Sequence, residues 1–310
     1  MKILIFTVCI ILIVILIVEV ITEYFFSQVI VRKVKNHDDL LEDQIKRGLI
    51  DIGYYKGLKK EKVYMTTNDG LKLEGIYIKG EPEINKTIIV VHGITVGIPT
   101  SIKYMRMFLD RGWNVLMYNQ RRHGASEGKY STYGYYEKYD LDLWVNWVVN
   151  RNGEDSIIGL HGESMGAATV LQYADINKYV DFIIADCAYS DMNELMKFRI
   201  KEDIKLPSFP ILKFVELKSK IRAKFSFKDV SPINSIRYNE IPVLFIHGKN
   251  DKFVPTYMSE KMYEVKKGMK RIYLADGAVH ACSIEVNKQK YEKVVFEFVN
   301  EVEANLGKFA

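Results

Sequence analysis

The pentapeptide Gly162-Glu163-Ser164-Met165-Gly166 sets one serine between two glycines. It follows an apolar run over residues 156–161 (SIIGLH) and opens a helical pattern, MGAATVLQYA. At a sharp strand-to-helix turn a serine hydroxyl stands clear of the backbone, beside the helix N-terminus, and flanking glycines relieve the crowding between strand and helix. The chemistry this suits is nucleophilic attack on a carbonyl carbon. G-x-S-x-G alone is a common pattern that also fits an ordinary turn with a capping serine. The strand-like run before it and the helical pattern after it favour the nucleophile.

A hydroxyl is a weak nucleophile at neutral pH and needs a base. The chain has six histidines. His37 falls in a polar region near the N-terminus. His92, His161 and His247 each precede a glycine at the end of an apolar run, where packing and turn roles account for them. His123, in Arg121-Arg122-His123-Gly124, reads as a loop organiser. His280 remains, in the loop Asp276-Gly277-Ala278-Val279-His280 between the last apolar run and the last helical pattern, placed to reach Ser164. A carboxylate must then fix the imidazole tautomer and stabilise its positive form. Asp251 is preferred, following the run at 241–246 through His247-Gly248-Lys249-Asn250. Asp186, which ends FIIAD, is the rival; its plainer role is to hold the loop Cys187-Ala188-Tyr189-Ser190. Backbone N–H groups of Met165 and of Ile94, in the loop after TIIVV, are expected to receive the oxyanion.

These residues need elements that bring them together. Short apolar runs at 87–91, 113–118, 156–160, 181–185, 241–246 and 271–274 suit strands buried on both faces. Helical patterns lie between them at 101–111, 136–150, 165–174, 256–267 and 284–303. This alternation predicts an α/β fold with a mainly parallel central sheet flanked by helices. Residues 62–67 and 71–78 flank Asn68-Asp69-Gly70 and read as a β-hairpin. The aromatic-rich stretch at 130–147 reads as a loop and an amphipathic helix, with Leu141, Trp144, Val145 and Val148 facing the core. Residues 191–232 break the rhythm, carrying ten lysines and arginines, Pro207 and Pro210, and no clear strand. They are expected to form a short helical lid. A basic lid suggests contact with anionic lipid and a lipid ester as substrate, although such a face is more often merely solvated.

The N-terminus reads differently. Residues 3–18 are unbroken apolar sequence, continuing weakly past Glu19. About 19 residues at 1.5 Å each span roughly a 30 Å hydrocarbon core. Val18-Glu19-Val20-Ile21-Thr22 lacks the small residues of a signal-peptide cleavage site. Residues 1–30 are therefore expected to form a single-pass anchor in a cell membrane, 31–60 a polar, partly helical stalk, and 61–310 one domain. Lys2 on one side and Arg32, Lys33 and Lys35 on the other give opposing hints under the positive-inside rule, so orientation stays open.

Composition narrows the function classes. The net charge of +5 is interleaved along the chain, unlike the concentrated basic face that nucleic-acid binding requires. Three cysteines (Cys9, Cys187, Cys282) give neither a disulfide framework nor metal-ligand spacing. No H-E-x-x-H, Walker or dinucleotide motif is present, so neither metal nor organic cofactor is expected.

The ordered set HGITVG, YNQRRHGASEGK, GESMG, HGKNDKFVP and GAVHACS resembles the α/β-hydrolase superfamily of serine hydrolases, in particular bacterial membrane-anchored, esterase-like members. The resemblance covers roughly residues 60–305. The order Ser164, Asp251, His280 is that of the superfamily and differs from those of chymotrypsin and subtilisin. The resemblance implies Ser164, Asp251 and His280 as the triad and Ile94 and Met165 as the oxyanion positions. The family loop often reads D-x-R-G-H-G; here Asn119 and Arg122 replace the aspartate and the first glycine. A serine nucleophile disfavours dehalogenase and epoxide-hydrolase chemistry. The expected activity is carboxylic ester hydrolysis through an acyl-enzyme. An acyltransferase or peptidase using the same serine, and a non-catalytic membrane-tethered binding protein on this fold, are the alternatives. Oligomeric state is not legible.

Overall fold

The computed structural model describes residues 1–80, 84–176 and 178–306. It opens with three helices, α1 (Lys2–Val29), α2 (His37–Lys46) and α3 (Ile52–Gly57). The hairpin β1 (Lys60–Thr66) and β2 (Lys72–Ile78) follows, then β3 (Lys86–Val91), α4 (Ile98–Leu109), β4 (Asn114–Tyr118), α5 (Glu137–Asn152), β5 (Ile157–Glu163) and α6 (Met165–Tyr173). After β6 (Phe182–Asp186) come α7 (Met192–Ile204), α8 (Ile211–Arg222) and α9 (Pro232–Ile236). The chain ends with β7 (Val243–Gly248), α10 (Tyr257–Val265), β8 (Lys270–Ala275), α11 (Ser283–Val286) and α12 (Lys288–Leu306).

The strands form one sheet of order β1-β2-β4-β3-β5-β6-β7-β8. The β1–β2 and β2–β4 pairs are antiparallel and the rest parallel. Ile88, Ile89, Leu160, Ile183 and Phe245 are fully buried, because helices cover both faces. On one face, Leu141, Trp144, Val145 and Val148 of α5 pack with Val170 and Leu171 of α6. On the other, Phe108 of α4 meets Val295 and Phe298 of α12. The charged ends of β1 and β8 leave the sheet's two edges half exposed, which discourages pairing with another chain.

Parallel order has one consequence for chemistry. It puts the carboxyl ends of β3, β5, β6, β7 and β8 on one rim, and loops leaving that rim can meet. Those loops carry Ile94, Ser164, Cys187, Asp251 and His280 in turn. The expected last helix is divided at Asn287, whose side chain accepts the Lys290 N–H and starts α12 afresh.

Two N-terminal segments pack more closely than their composition suggests. Residues 31–60, expected as a polar stalk, lie on the domain: Leu40 and Ile50 are buried, and Arg106 of α4 pairs with Asp51 at 3.2 Å. Asn36 and Asp51 cap α2 and α3, which lets short helices form where propensity alone would not suffice. Helix α1 is long and apolar enough to cross a membrane. Its amino-terminal two-thirds is exposed, whereas Phe26 and Ile30 are fully buried against the segment of α7 and α8.

Candidate active site

Ser164 sits between β5 and α6 with φ +56° and ψ −116°, a conformation that costs energy for any side chain with a Cβ. Its surroundings impose it. Its N–H donates to the Asp186 carbonyl at 2.8 Å, and α6 begins at the next residue. A Cβ at Gly162 would lie 2.4 Å from the Gly166 carbonyl oxygen, and one at Gly166 would lie 2.0 Å from that of Val91. Both glycines are thus required by close backbone approach.

The structure brings Ser164, His280 and Asp251 into one hydrogen-bonded chain. Ser164 Oγ lies 2.8 Å from His280 Nε2, and His280 Nδ1 lies 2.7 Å from Asp251 Oδ2. With Nδ1–H donating to the carboxylate, Nε2 is left to accept the serine proton. Asp251 Oδ1 accepts the N–H groups of Phe253 (2.8 Å) and Val254 (2.9 Å), while His247 Nε2 lies 3.2 Å from Oδ2. Burial opposes the Asp251 charge, but hydrogen bonds from His247 and His280 outweigh it and hold the carboxyl well below the usual carboxylate range.

Beside the serine, Met165 is the first residue of α6, so its N–H has no partner within the helix. The loop after β3 lies against Ser164: a Cβ at Gly93 would be 3.3 Å from Ser164 Cβ. That loop is anchored by His92, whose Nε2 accepts the Gln120 N–H at 2.9 Å, and by His123, whose Nε2 accepts the Thr95 N–H at 3.0 Å. Burial holds the His92 imidazole down at about 3 and also lowers that of His123, so both serve as neutral acceptors.

Asp186, the rival carboxylate, takes a different position. It accepts the hydroxyls of Ser283 (3.0 Å) and Tyr291 (3.1 Å) behind the elbow, while Asp251 holds His280. Complete burial, reinforced by the Glu163 charge and opposed by Lys103, pushes its carboxyl up to about 6. An unfolded aspartate titrates near 3.9. Between those values the folded chain holds the extra proton, so Asp186 favours the fold below pH ~4, an effect lost as pH rises through 6. We expect the stability of wild type relative to Asp186→Asn to fall by roughly 2–3 kcal/mol between pH 4 and pH 7. Denaturant unfolding of both proteins at the two pH values checks this; a constant difference would refute the burial argument.

A cavity of about 570 Å³ opens from Ser164 and Met165. Its walls are largely apolar and include Tyr133, Tyr189, and Leu195, Ile200, Leu212 and Val215 of α7 and α8. Tyr24, Phe25, Gln28 and Val29 of α1 close one side, an involvement that composition does not reveal. Two further contributors carry no sequence motif: His247 as a second partner of Asp251, and the buried Lys103–Glu163 pair, with Nζ 2.6 Å from Oε2. His247 stands four residues before Asp251, a spacing that offers the only hint.

Among the described residues, one group could ligate a metal: Cys187, Asp251 and His280. A cation there would have to displace the Asp251–His280 hydrogen bond, and burial pushes the Cys187 thiol well above its ordinary range.

A mainly parallel sheet bearing a serine elbow at its carboxyl rim defines a hydrolase of the α/β type. Residues 86–210 match the family model described as the alpha/beta hydrolase fold. The chain is 37% identical over 278 residues to the uncharacterized protein YqkD of Bacillus subtilis (strain 168), covering 89% of this chain and 91% of that one. An uncharacterized membrane protein of Saccharomyces cerevisiae, YNL320W, is 26% identical over 226 residues, 70% of this chain and 72% of the yeast protein. The Pyrococcus furiosus esterase Pf2001 superposes with a TM-score of 0.66 at 27% identity, covering 80% of this chain and 93% of the esterase. The chain belongs to the α/β-hydrolase superfamily.

Proposed function

We propose that this protein is a membrane-anchored serine hydrolase that cleaves carboxylic esters, with Ser164, His280 and Asp251 as its triad. The observation that carries the reading is the unbroken relay of 2.8 Å and 2.7 Å contacts from serine to imidazole to carboxylate. Ser164 Oγ attacks the ester carbonyl carbon as its proton passes to His280 Nε2, and Asp251 stabilises the imidazolium. The N–H groups of Met165 and Ile94 receive the negative oxygen. The C–O bond to the alcohol then breaks, and the alcohol leaves with the His280 proton. Water, deprotonated by His280, attacks the acyl-serine and releases the carboxylic acid and free Ser164. Each step closes on protein groups and water.

Residues 1–30 act as the anchor, 31–60 as a docked connector, 61–310 as the catalytic domain and 191–232 as its lid. The relationship to the Pyrococcus furiosus esterase supports ester chemistry, and the exposed apolar length of α1 supports anchoring. The test is hydrolysis of nitrophenyl esters of increasing acyl length by the full chain in detergent micelles, beside Ser164→Ala. Turnover lost in the variant is the expected result. Wild-type protein inert toward every ester, yet folded, would overturn the reading.

A further inference from the structure

The wall of the cavity that α1 supplies raises a question about what enters it. Phe25 and Val29, four residues apart on one helix face, line the same space as Ser164. Beyond them toward the N-terminus, α1 is exposed and apolar from Ile3 to Ile17, part of a helix that over Lys2–Val29 is long and apolar enough to cross a bilayer. The junction between these two portions is fixed by ion pairs with α8. Lys218 pairs with Glu19 and, at 2.7 Å, with Glu23, and Arg222 pairs with Glu23 at 2.6 Å. From Glu19 to Val29 the helix rises only about 15 Å. The pocket wall therefore stands close to the level at which the helix leaves the membrane.

The lid carries matching features. Phe214, Leu217 and Ile221 are exposed at helical spacing along α8, and Leu206 and Phe209 are exposed just before it. Lys213, Lys220 and Lys224 accompany them. An exposed apolar stripe beside lysines is the pattern of a helix lying in the headgroup region, and its attachment to α1 places it there. The exit of α1 is also tied to the loops of the site. Tyr133 Oη donates to the Val29 carbonyl at 3.1 Å, and the Ser131 N–H donates to that of Ile30 at 3.1 Å. Arg122 donates to the Arg32 carbonyl at 2.8 Å, and the Lys35 N–H to that of Thr95, next to Ile94, at 2.9 Å.

We propose that the pocket takes the acyl chain of a membrane lipid ester, which enters sideways from the bilayer between α1 and the lid. Phe25 and Val29 of the anchoring helix set the chain length accepted. This rests on Ser164 being the ester nucleophile. It adds that one helix both holds the protein at the membrane and shapes its specificity. An apolar chain never crosses water on this route, and the ester carbonyl stops at the serine because the pocket walls fix how far the chain can go.

The experiment uses the full chain in phosphatidylcholine nanodiscs doped with 4-methylumbelliferyl butyrate or palmitate. Val29→Trp, which fills the pocket, is expected to lower the palmitate-to-butyrate ratio of kcat/KM at least tenfold. Phe25→Ala, which widens it, is expected to shift the ratio the other way, and it serves if the tryptophan variant does not fold. A terminally diazirine-labelled palmitoyl ester is also photolysed with Ser164→Ala, a readout that needs no turnover. Crosslinks to residues 24–32 and 195–215 are expected. Ser164-dependent hydrolysis with both ratios unmoved, or crosslinks confined to other peptides, overturns the inference and leaves the esterase reading standing. Absence of Ser164-dependent hydrolysis of either ester overturns the esterase reading, and the inference with it.

Discussion

Ser164→Ala is expected to lower kcat for ester hydrolysis by about 10⁴–10⁶-fold while leaving the protein folded. On the proposed reading the Ser164 oxygen is the atom that bonds to the substrate, and among the described residues no second hydroxyl is bonded to His280. His280→Ala should cost a similar factor, because the relay acts as a unit. Combining the two should then add little to either alone. Asp251→Asn is expected to cost roughly 10³–10⁴-fold by a different route. Its amide would present N–H where a carboxylate now accepts from His280, turning Nδ1 into the acceptor and leaving Nε2 protonated toward the serine. The Phe253 and Val254 N–H groups, which bond to Oδ1, keep the side chain in place, so the loss should fall on kcat more than on folding. Steady-state kinetics and circular dichroism on the four variants check this. A double variant much slower than both singles, or more than about one per cent activity left in Ser164→Ala, would refute the relay.

Why these three side chains meet was partly legible in the sequence. Apolar runs bounded by turn residues announce parallel strands, and parallel strands share a carboxyl rim, so Ser164, Asp251 and His280 had to lie on one edge. The glycines at 162 and 166 announced the elbow because nothing larger fits the approach of strand and helix. Other features left no such trace. Leu40 and Ile50 belong to short apolar pairs, Leu40-Leu41 and Leu49-Ile50, within charge-rich sequence, and only the face of the domain they cover shows that residues 31–60 are docked. An apolar window measures the length of α1 but not which end of it turns inward, so the role of Phe25 and Val29 was invisible. Partner choice across long separations is likewise a property of the fold. Asp186 and Asp251 both end or follow a strand, and only the positions of Ser283, Tyr291 and His280 separate their roles.

Lys103 is the clearest case of such hidden pairing, and it carries the largest expected effect on stability. A lysine in the middle of an amphipathic helix reads as a solvated group; here it is buried, with Nζ 2.6 Å from Glu163 Oε2 and 3.0 Å from the Ala281 carbonyl. Burial alone would lower the ammonium's pKa, yet the charge and hydrogen bond of Glu163, with the charges of Glu285 and Asp186, together outweigh it and keep Lys103 above its ordinary value. The ammonium thus joins the residue before the nucleophile to the residue after His280. Lys103→Met is expected to destabilise the fold by about 3–5 kcal/mol, because it strands the Glu163 carboxylate without its counter-charge. Adding Glu163→Gln removes that charge while keeping a partner for the Tyr104 hydroxyl, now 2.6 Å from Oε2. The double variant should therefore be more stable than Lys103→Met alone, although either change by itself destabilises. Stability need not restore rate. With the tie to Ala281 gone, His280 loses a support, and kcat should stay on the order of 10–100-fold low with KM little changed. Denaturant unfolding and ester kinetics on the cycle test both halves. Additive stability losses would mean that the two charges do not compensate each other, and full activity in the double variant would mean that the Lys103 tie does not position His280.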